Sequence, residues 1–190
     1  MNYIEEIRNY MPQNEQEAQD KKVIMECLLL FPDSILSREN EIAHITPSGF
    51  IVNAARDKTL MIHHNIRNTW SWTGGHADDD KNLLAVAMRE ANEETGVTVI
   101  PLSEKIASLE VVTVQAHTRR GQFVNSHLHI CVAYIFIADE REPLVVKPDE
   151  NSAVAWIPVE EIITPRFTDY DARLYKKLVQ RALDTNLYKA

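Results

Sequence analysis

The chain opens with two stretches of helical periodicity. Tyr3, Ile4, Ile7, Tyr10 and Met11 recur at three- and four-residue spacing before Pro12 interrupts them. A second helix is predicted from about Gln13 to Leu30, ending ahead of Phe31-Pro32. Its start is polar and its end, Val23 to Leu30, is strongly apolar, so that end needs a cover: the body of the protein, or a second copy of the chain. From Ala43 the period shortens. His44-Ile45-Thr46 and Gly49-Phe50-Ile51-Val52 read as strands with a bend at Pro47-Ser48-Gly49. Arg56-Asp57-Lys58 reads as a turn, and Thr59–His63 as the returning arm of a hairpin. Trp70-Ser71-Trp72-Thr73 leads into Gly74-Gly75. Asn82 to Thr95 reads as a helix stopped by Gly96, with Asp78-Asp79-Asp80 as capping and first-turn acids. Two long strands follow, Ala107–His117 and Ser126–Ala138, joined by a polar loop, Thr118–Asn125. Val154–Ile157 is a short strand and Thr168–Leu187 a closing helix. Strands and helices alternate irregularly, which predicts an α/β or α+β fold with a mixed sheet.

Composition narrows the class. The 190 residues are 45% hydrophobic and 25% charged, an ordinary globular balance. The length suits one domain, or one domain with an appendage. A net charge of −8, from 28 acids and 20 bases, argues against a general nucleic-acid-binding surface. Cys27 and Cys131 lie far apart in no metal-ligand spacing, which points to a reducing compartment rather than a disulfide framework. No apolar run approaches a bilayer span, and the polar N-terminus lacks a secretion pattern. The expectation is a cytoplasmic globular protein with no nucleic-acid or membrane partner.

The chemistry concentrates between Gly75 and Val97. Glu90, Glu93 and Glu94 stand at i, i+3 and i+4 of the predicted helix, so three carboxylates share one face. With Leu83 at zero on a wheel of about 100° per residue, Glu94 falls near 20°, Glu90 near 340° and Glu93 near 280°. They border the stripe formed by Leu83, Leu84, Ala87, Met88 and Ala91 instead of opposing it. Acids near a helix C-terminus are disfavoured by roughly 0.3–1 kcal/mol each. Like charges at this spacing cost about 0.2–0.5 kcal/mol per pair. A hard divalent cation offsets both penalties, and Mg²⁺ prefers a few carboxylates together with substrate phosphates.

This stretch resembles the signature box of the Nudix hydrolases, G-x5-E-x7-R-E-U-x-E-E-x-G-U. Gly75, Arg89, Glu90, Glu93, Glu94, Gly96 and Val97 fall in register, with Ala91 as a small version of the aliphatic position. The likeness runs from about His44 to Ile163 and takes in Lys147-Pro-Asp-Glu-Asn-Ser and Trp156-Ile-Pro-Val-Glu-Glu. It implies an α/β/α sandwich with a mixed sheet over residues 41–190, and leaves residues 1–40 as an N-terminal helical extension, either a cap or a homodimer interface. The resemblance implies hydrolysis of a nucleoside diphosphate linked to another moiety, with Mg²⁺ or Mn²⁺ held by Glu90, Glu93, Glu94 and the backbone carbonyl of Gly74. It gives Arg89 the task of orienting the glutamates. Glu90 is one candidate base, and Glu150, outside the box, is another. Arg119 and Arg120 are candidates for phosphate contact, and His127 and His129, on one strand face, for the substrate pocket. One departure stands out: the first glutamate of the box is Lys81, with Asp79 and Asp80 near enough to replace its charge. A weakened module that senses nucleotide is the alternative that Lys81 leaves open. The isomerase branch of this fold needs a cysteine before the box, where Trp70–His76 has none.

Overall fold

A computed structural model describes residues 2–119, 121–163 and 166–184. Its helices are α1 (Tyr3–Asn9), α2 (Glu15–Leu30), α3 (Leu83–Thr95) and α4 (Asp169–Leu183), with a 3₁₀ turn at Val159–Ile163. Its strands are β1 (Ala43–Asn53), β2 (Lys58–His64), β3 (Thr69–Ser71), β4 (Thr73–Gly74), β5 (Ile100–Pro101), β6 (Ser108–Val114), β7 (His117–Arg119), β8 (Gln122–Val124), β9 (His127–Ala138) and β10 (Asn151–Pro158).

The main sheet runs β10-β2-β1-β9-β5, with β3 on β2, β4 on β1 and β6 on β9. The β1–β9 pair is parallel along its whole length and the others are antiparallel, so the sheet is mixed. Alternation along β1 and β9 sends side chains to two cores. Ile45, Ile51, Ile130, Val132, Tyr134 and Phe136 pack with α3 and with Ile7, Ile24 and Leu28 of α1 and α2. Phe50, Val52, Cys131, Ala133 and Ile135 pack with Leu174, Tyr175 and Leu178 of α4. The result is an α/β/α sandwich.

The N-terminal helices pack into that sandwich. Ile24, Cys27 and Leu28 are buried against the body, while Leu29 and Leu30 face outward. Helix α2 covers the outer edge of β6: Asp20 Oδ2 accepts from the Val111 N–H at 2.9 Å, which occupies a donor that an edge strand would otherwise leave open. Beside it lies a buried ionic cluster. Glu17, with no exposure, accepts from Arg181 at 2.5 Å, from Ser108 Oγ at 2.9 Å and from Tyr10 Oη at 2.8 Å, and pairs with Lys177 at 2.9 Å. Lys177 also meets Glu110. This cluster locks α2, α4 and β6 together.

Three local expectations change. The bend at Pro47 does not occur, and β1 is continuous. The Pro47 carbonyl accepts from Gly75 N–H on the β4 side, so the missing N–H also faces that short ladder and costs β9 nothing. The loop between the long strands carries a small hairpin of its own, β7 with β8. The α3 N-cap is Asn82, whose side chain accepts from Ala85 N–H, and not one of the three aspartates. Asp78 and Asp79 adopt left-handed φ of 47° and 68°, a shape incompatible with starting a helix. Arg38 grips the Asp78 carboxylate through Nε at 2.7 Å and through Nη2.

Candidate functional site

Helix α3 and the strand β4 ahead of it build the acidic site. Gly96 ends the helix at φ +81°, a left-handed turn that spares a side chain the steric cost. The burial of the three glutamates follows the wheel: Glu94 is buried, Glu90 half-buried and Glu93 exposed. Glu94 Oε2 accepts from Gly74 N–H at 2.9 Å. Gly75 must be small, because a Cβ there would stand 2.5 Å from Glu90 Oε2. Two carboxylates are thus pressed against a glycine pair.

Electrostatics sharpen the picture. Burial pushes the Glu94 carboxyl up to about 8 against the lowering pull of the Gly74 N–H, and the charges of Glu150 and Glu90 add to the rise. Burial, then the neighbouring Glu93, also raises Glu90. At about 8 the Glu94 carboxyl holds its proton at neutral pH unless a cation replaces it. The donor set (hard carboxylate oxygens, partly dry and close-packed) therefore fits a hard divalent cation.

The basic residues surround the acids. Arg89 lies 3.6 Å from Asp80 and 4.0 Å from Glu93, so Asp80 provides an acid next to Lys81, which is exposed. Lys147 pairs with Glu93 at 3.1 Å and with Glu150 at 3.2 Å. Glu150, in the loop before β10, thereby faces the cluster. Asn151 clamps the same loop to α3 by donating to the Glu94 carbonyl at 3.0 Å. Sequence reasoning quoted the Lys147–Ser152 stretch but assigned no role to Lys147 or Asn151. Their proximity to Glu93 and Glu94 depends on a tertiary contact across more than fifty residues.

The remaining candidates divide. Arg120 and the side chain of Arg119 lie outside the described residues. His127 and His129 do not join the acids. They stand with His44 and His76 in a group of four rings, His44 lying 4.9 Å from each of them by centroid and 5.0 Å from His76. Burial, with the neighbouring histidines, holds the His129 ring down to about 2, and burial also lowers His44. His44 and His76 carried no sequence signal of this grouping.

Comparison with known proteins follows the same outline. No curated protein matches the chain in sequence. Among solved structures, a NUDIX-family hydrolase from Clostridium perfringens aligns with a TM-score of 0.53 at 19% identity, over 73% of this chain and 97% of that one. The MutT protein from Methanosarcina mazei Go1 aligns with a TM-score of 0.54 at 20% identity, over 74% and 95%. The dihydroneopterin triphosphate pyrophosphohydrolase of E. coli gives 0.51 at 14%, over 72% and 95%. At such identities the likeness is one of fold. The model of the NUDIX domain matches residues 44–178, which hold the glycine pair, α3 and the Lys147–Asn151 loop, and the chain belongs to the Nudix family.

Proposed function

We propose that this protein hydrolyses a phosphoanhydride bond in a nucleoside diphosphate linked to another moiety. The observation that carries the reading is the buried Glu94 carboxyl, raised to about 8, packed with Glu90 against Gly74-Gly75. Glu90, Glu93, Glu94 and the Gly74 carbonyl are the groups that would hold Mg²⁺ or Mn²⁺. Held there, such an ion would neutralise the phosphate oxygens and would make a water beside it more acidic. Arg89, between Asp80 and Glu93, fixes the direction of the Glu93 carboxylate. Lys147 keeps Glu93 and Glu150 together and partly compensates the acids before substrate arrives. Glu150 stands at the rim as the base candidate beside Glu90. Arg119 and Arg120 are assigned to the phosphates, and His127 and His129 to the side of the pocket. The Nudix family background supports this reading. The alternative, a nucleotide sensor, draws on Lys81, and Asp80 beside Arg89 counts against it. Among the described residues no helix is long and apolar enough to cross a membrane; we assign the protein to the cytoplasm.

The test is a phosphate-release screen with Mg²⁺ over oxidised nucleotides, sugar nucleotides, dinucleoside polyphosphates and coenzymes. The expected result is Mg²⁺-dependent turnover of at least one class, reduced at least a hundredfold in Glu93→Gln. Binding of nucleotide without turnover of any class would establish the sensor instead.

A further inference from the structure

The N-terminal ends of β1 and β9 hold a second cluster of ligand-type side chains. Parallel pairing makes His44 and His129 register partners, and His127, two residues earlier on β9, projects from the same face. The His127 and His129 rings stand 5.1 Å apart. One ligand-type atom from each of His44, His127 and His129 lies within 4.8 Å of the other two. Ser48, the partner of Gly74, lies four steps along β1 from His44, a distance of roughly 13 Å. His76, which meets His44 and His129, follows Gly75 directly, so the histidines form their own group beside the acids.

The orientation of the rings is specific. His44 Nδ1 stands 2.9 Å from the Asn40 carbonyl oxygen, and His127 Nδ1 stands 2.8 Å from that of Asn125. A carbonyl oxygen only accepts, so each Nδ1 carries the proton and each Nε2 presents a bare lone pair. An imidazole that donates one N–H to a backbone carbonyl and turns its other nitrogen inward has the outer-sphere support of a metal ligand. Hydrogen bonding within the cluster accounts for two of the three Nε2 atoms and not for that of His44. His127 Nε2 and His129 Nε2, 3.2 Å apart, can share one proton. Among the described residues His44 Nε2 has no hydrogen-bond partner, although His44 is only 3% exposed. The spacing of the β9 pair also fits. Zinc–nitrogen bonds of about 2.0–2.1 Å in a tetrahedron set the nitrogens about 3.4 Å apart, close to the His127–His129 separation. Imidazoles without a carboxylate in the set suit zinc-class ions and not Mg²⁺.

We propose that His44, His127 and His129 bind one divalent transition-metal ion of the zinc class, with the fourth coordination position left to an exogenous ligand such as water or a phosphate oxygen. The ion ties the starts of β1 and β9 together, and His76 stands beside it. The site does not depend on turnover at the acid cluster.

The experiment strips the full chain of metal and titrates it with Zn²⁺ against a chelating dye, in millimolar Mg²⁺. A parallel Co²⁺ titration reads the visible absorption of a nitrogen-ligated, low-coordinate site. One equivalent of Zn²⁺ is expected in the wild type and in Glu94→Gln. Affinity is expected to fall at least about a hundredfold in His44→Gln and in His127→Gln, with the Co²⁺ band lost in both. His127 is only half-buried, so His127→Gln keeps the test valid if circular dichroism shows that His44→Gln misfolds. Three results would overturn the proposal: no stoichiometric Zn²⁺ in the wild type, unchanged affinity in His127→Gln, or loss of the equivalent in Glu94→Gln.

Discussion

Replacing Glu94 by glutamine should make the metal-free protein more stable while disabling it. Glu94 is 2% exposed, so solvent screens its charge little. Its folded carboxyl lies at about 8 against an ordinary 4.5. The stability this group contributes is fully present below pH 4.5 and is lost as pH rises through 8. At pH 7 those two values correspond to about 3 kcal/mol of destabilisation relative to an uncharged side chain. Glutamine retains an oxygen for the Gly74 N–H and never ionises. Glu94→Gln in a chelator is therefore expected to exceed the wild type by about 2–3 kcal/mol at pH 7. The gap should close below pH 4.5 and widen by about a further 1.4 kcal/mol at pH 9. Urea unfolding at those three pH values measures it. Saturating Mg²⁺ should then stabilise the wild type and leave the variant almost unmoved, with hydrolysis falling at least a hundredfold. A variant equal to or weaker than the wild type in chelator at pH 7 would refute the claim that these acids are held ready for a cation.

Other outcomes follow from features away from Glu94. Arg181→Met strands the buried Glu17 carboxylate and should cost about 3–5 kcal/mol in urea unfolding. Burial alone would raise Glu17, but Arg181, the Gln13 N–H and Lys177 outweigh it and hold the group down to about 2. Its contribution is thus present above pH 4.5 and lost as pH falls towards 2, a loss that thermal midpoints should show in the wild type and not in Glu17→Gln. Gly75→Ala moves the flexible Glu90 carboxylate, so turnover should fall at least tenfold while the melting temperature stays within a few degrees. Unchanged turnover would show that Glu90 does not need that position.

What could be read from the sequence was local. Helix α3, its stop at Gly96 and the graded burial of Glu93, Glu90 and Glu94 follow from one period, and they lie where the wheel places them. Pro47 misled because its effect depends on which edge of β1 its missing N–H faces, and β4 decides that. The hairpin in the Thr118–Asn125 loop has no apolar alternation to betray it. The Glu17–Arg181 pair joins residues 164 apart, and no spacing rule reaches that far. His127 and His129 announced themselves as a pair, but His44 meets them only through the parallel register of two distant strands. Lys147 and Asn151 were hidden for the same reason: a loop residue acquires a role from the helix it folds against.

The parallel pairing of β1 with β9 also governs how the molecule comes into being. Thr46 and Cys131, which touch across that ladder, are 85 residues apart in the chain. During synthesis the first strand emerges long before its mate, and the segment bearing the acids is made in between. Closing so large a loop is entropically costly and slow, in the manner of non-local pairings. The nascent protein must therefore wait, with half a sheet exposed, until Ala138 has cleared the ribosome. Chaperone engagement in that interval, and its release once the ninth strand docks, is the cellular signature this topology foretells.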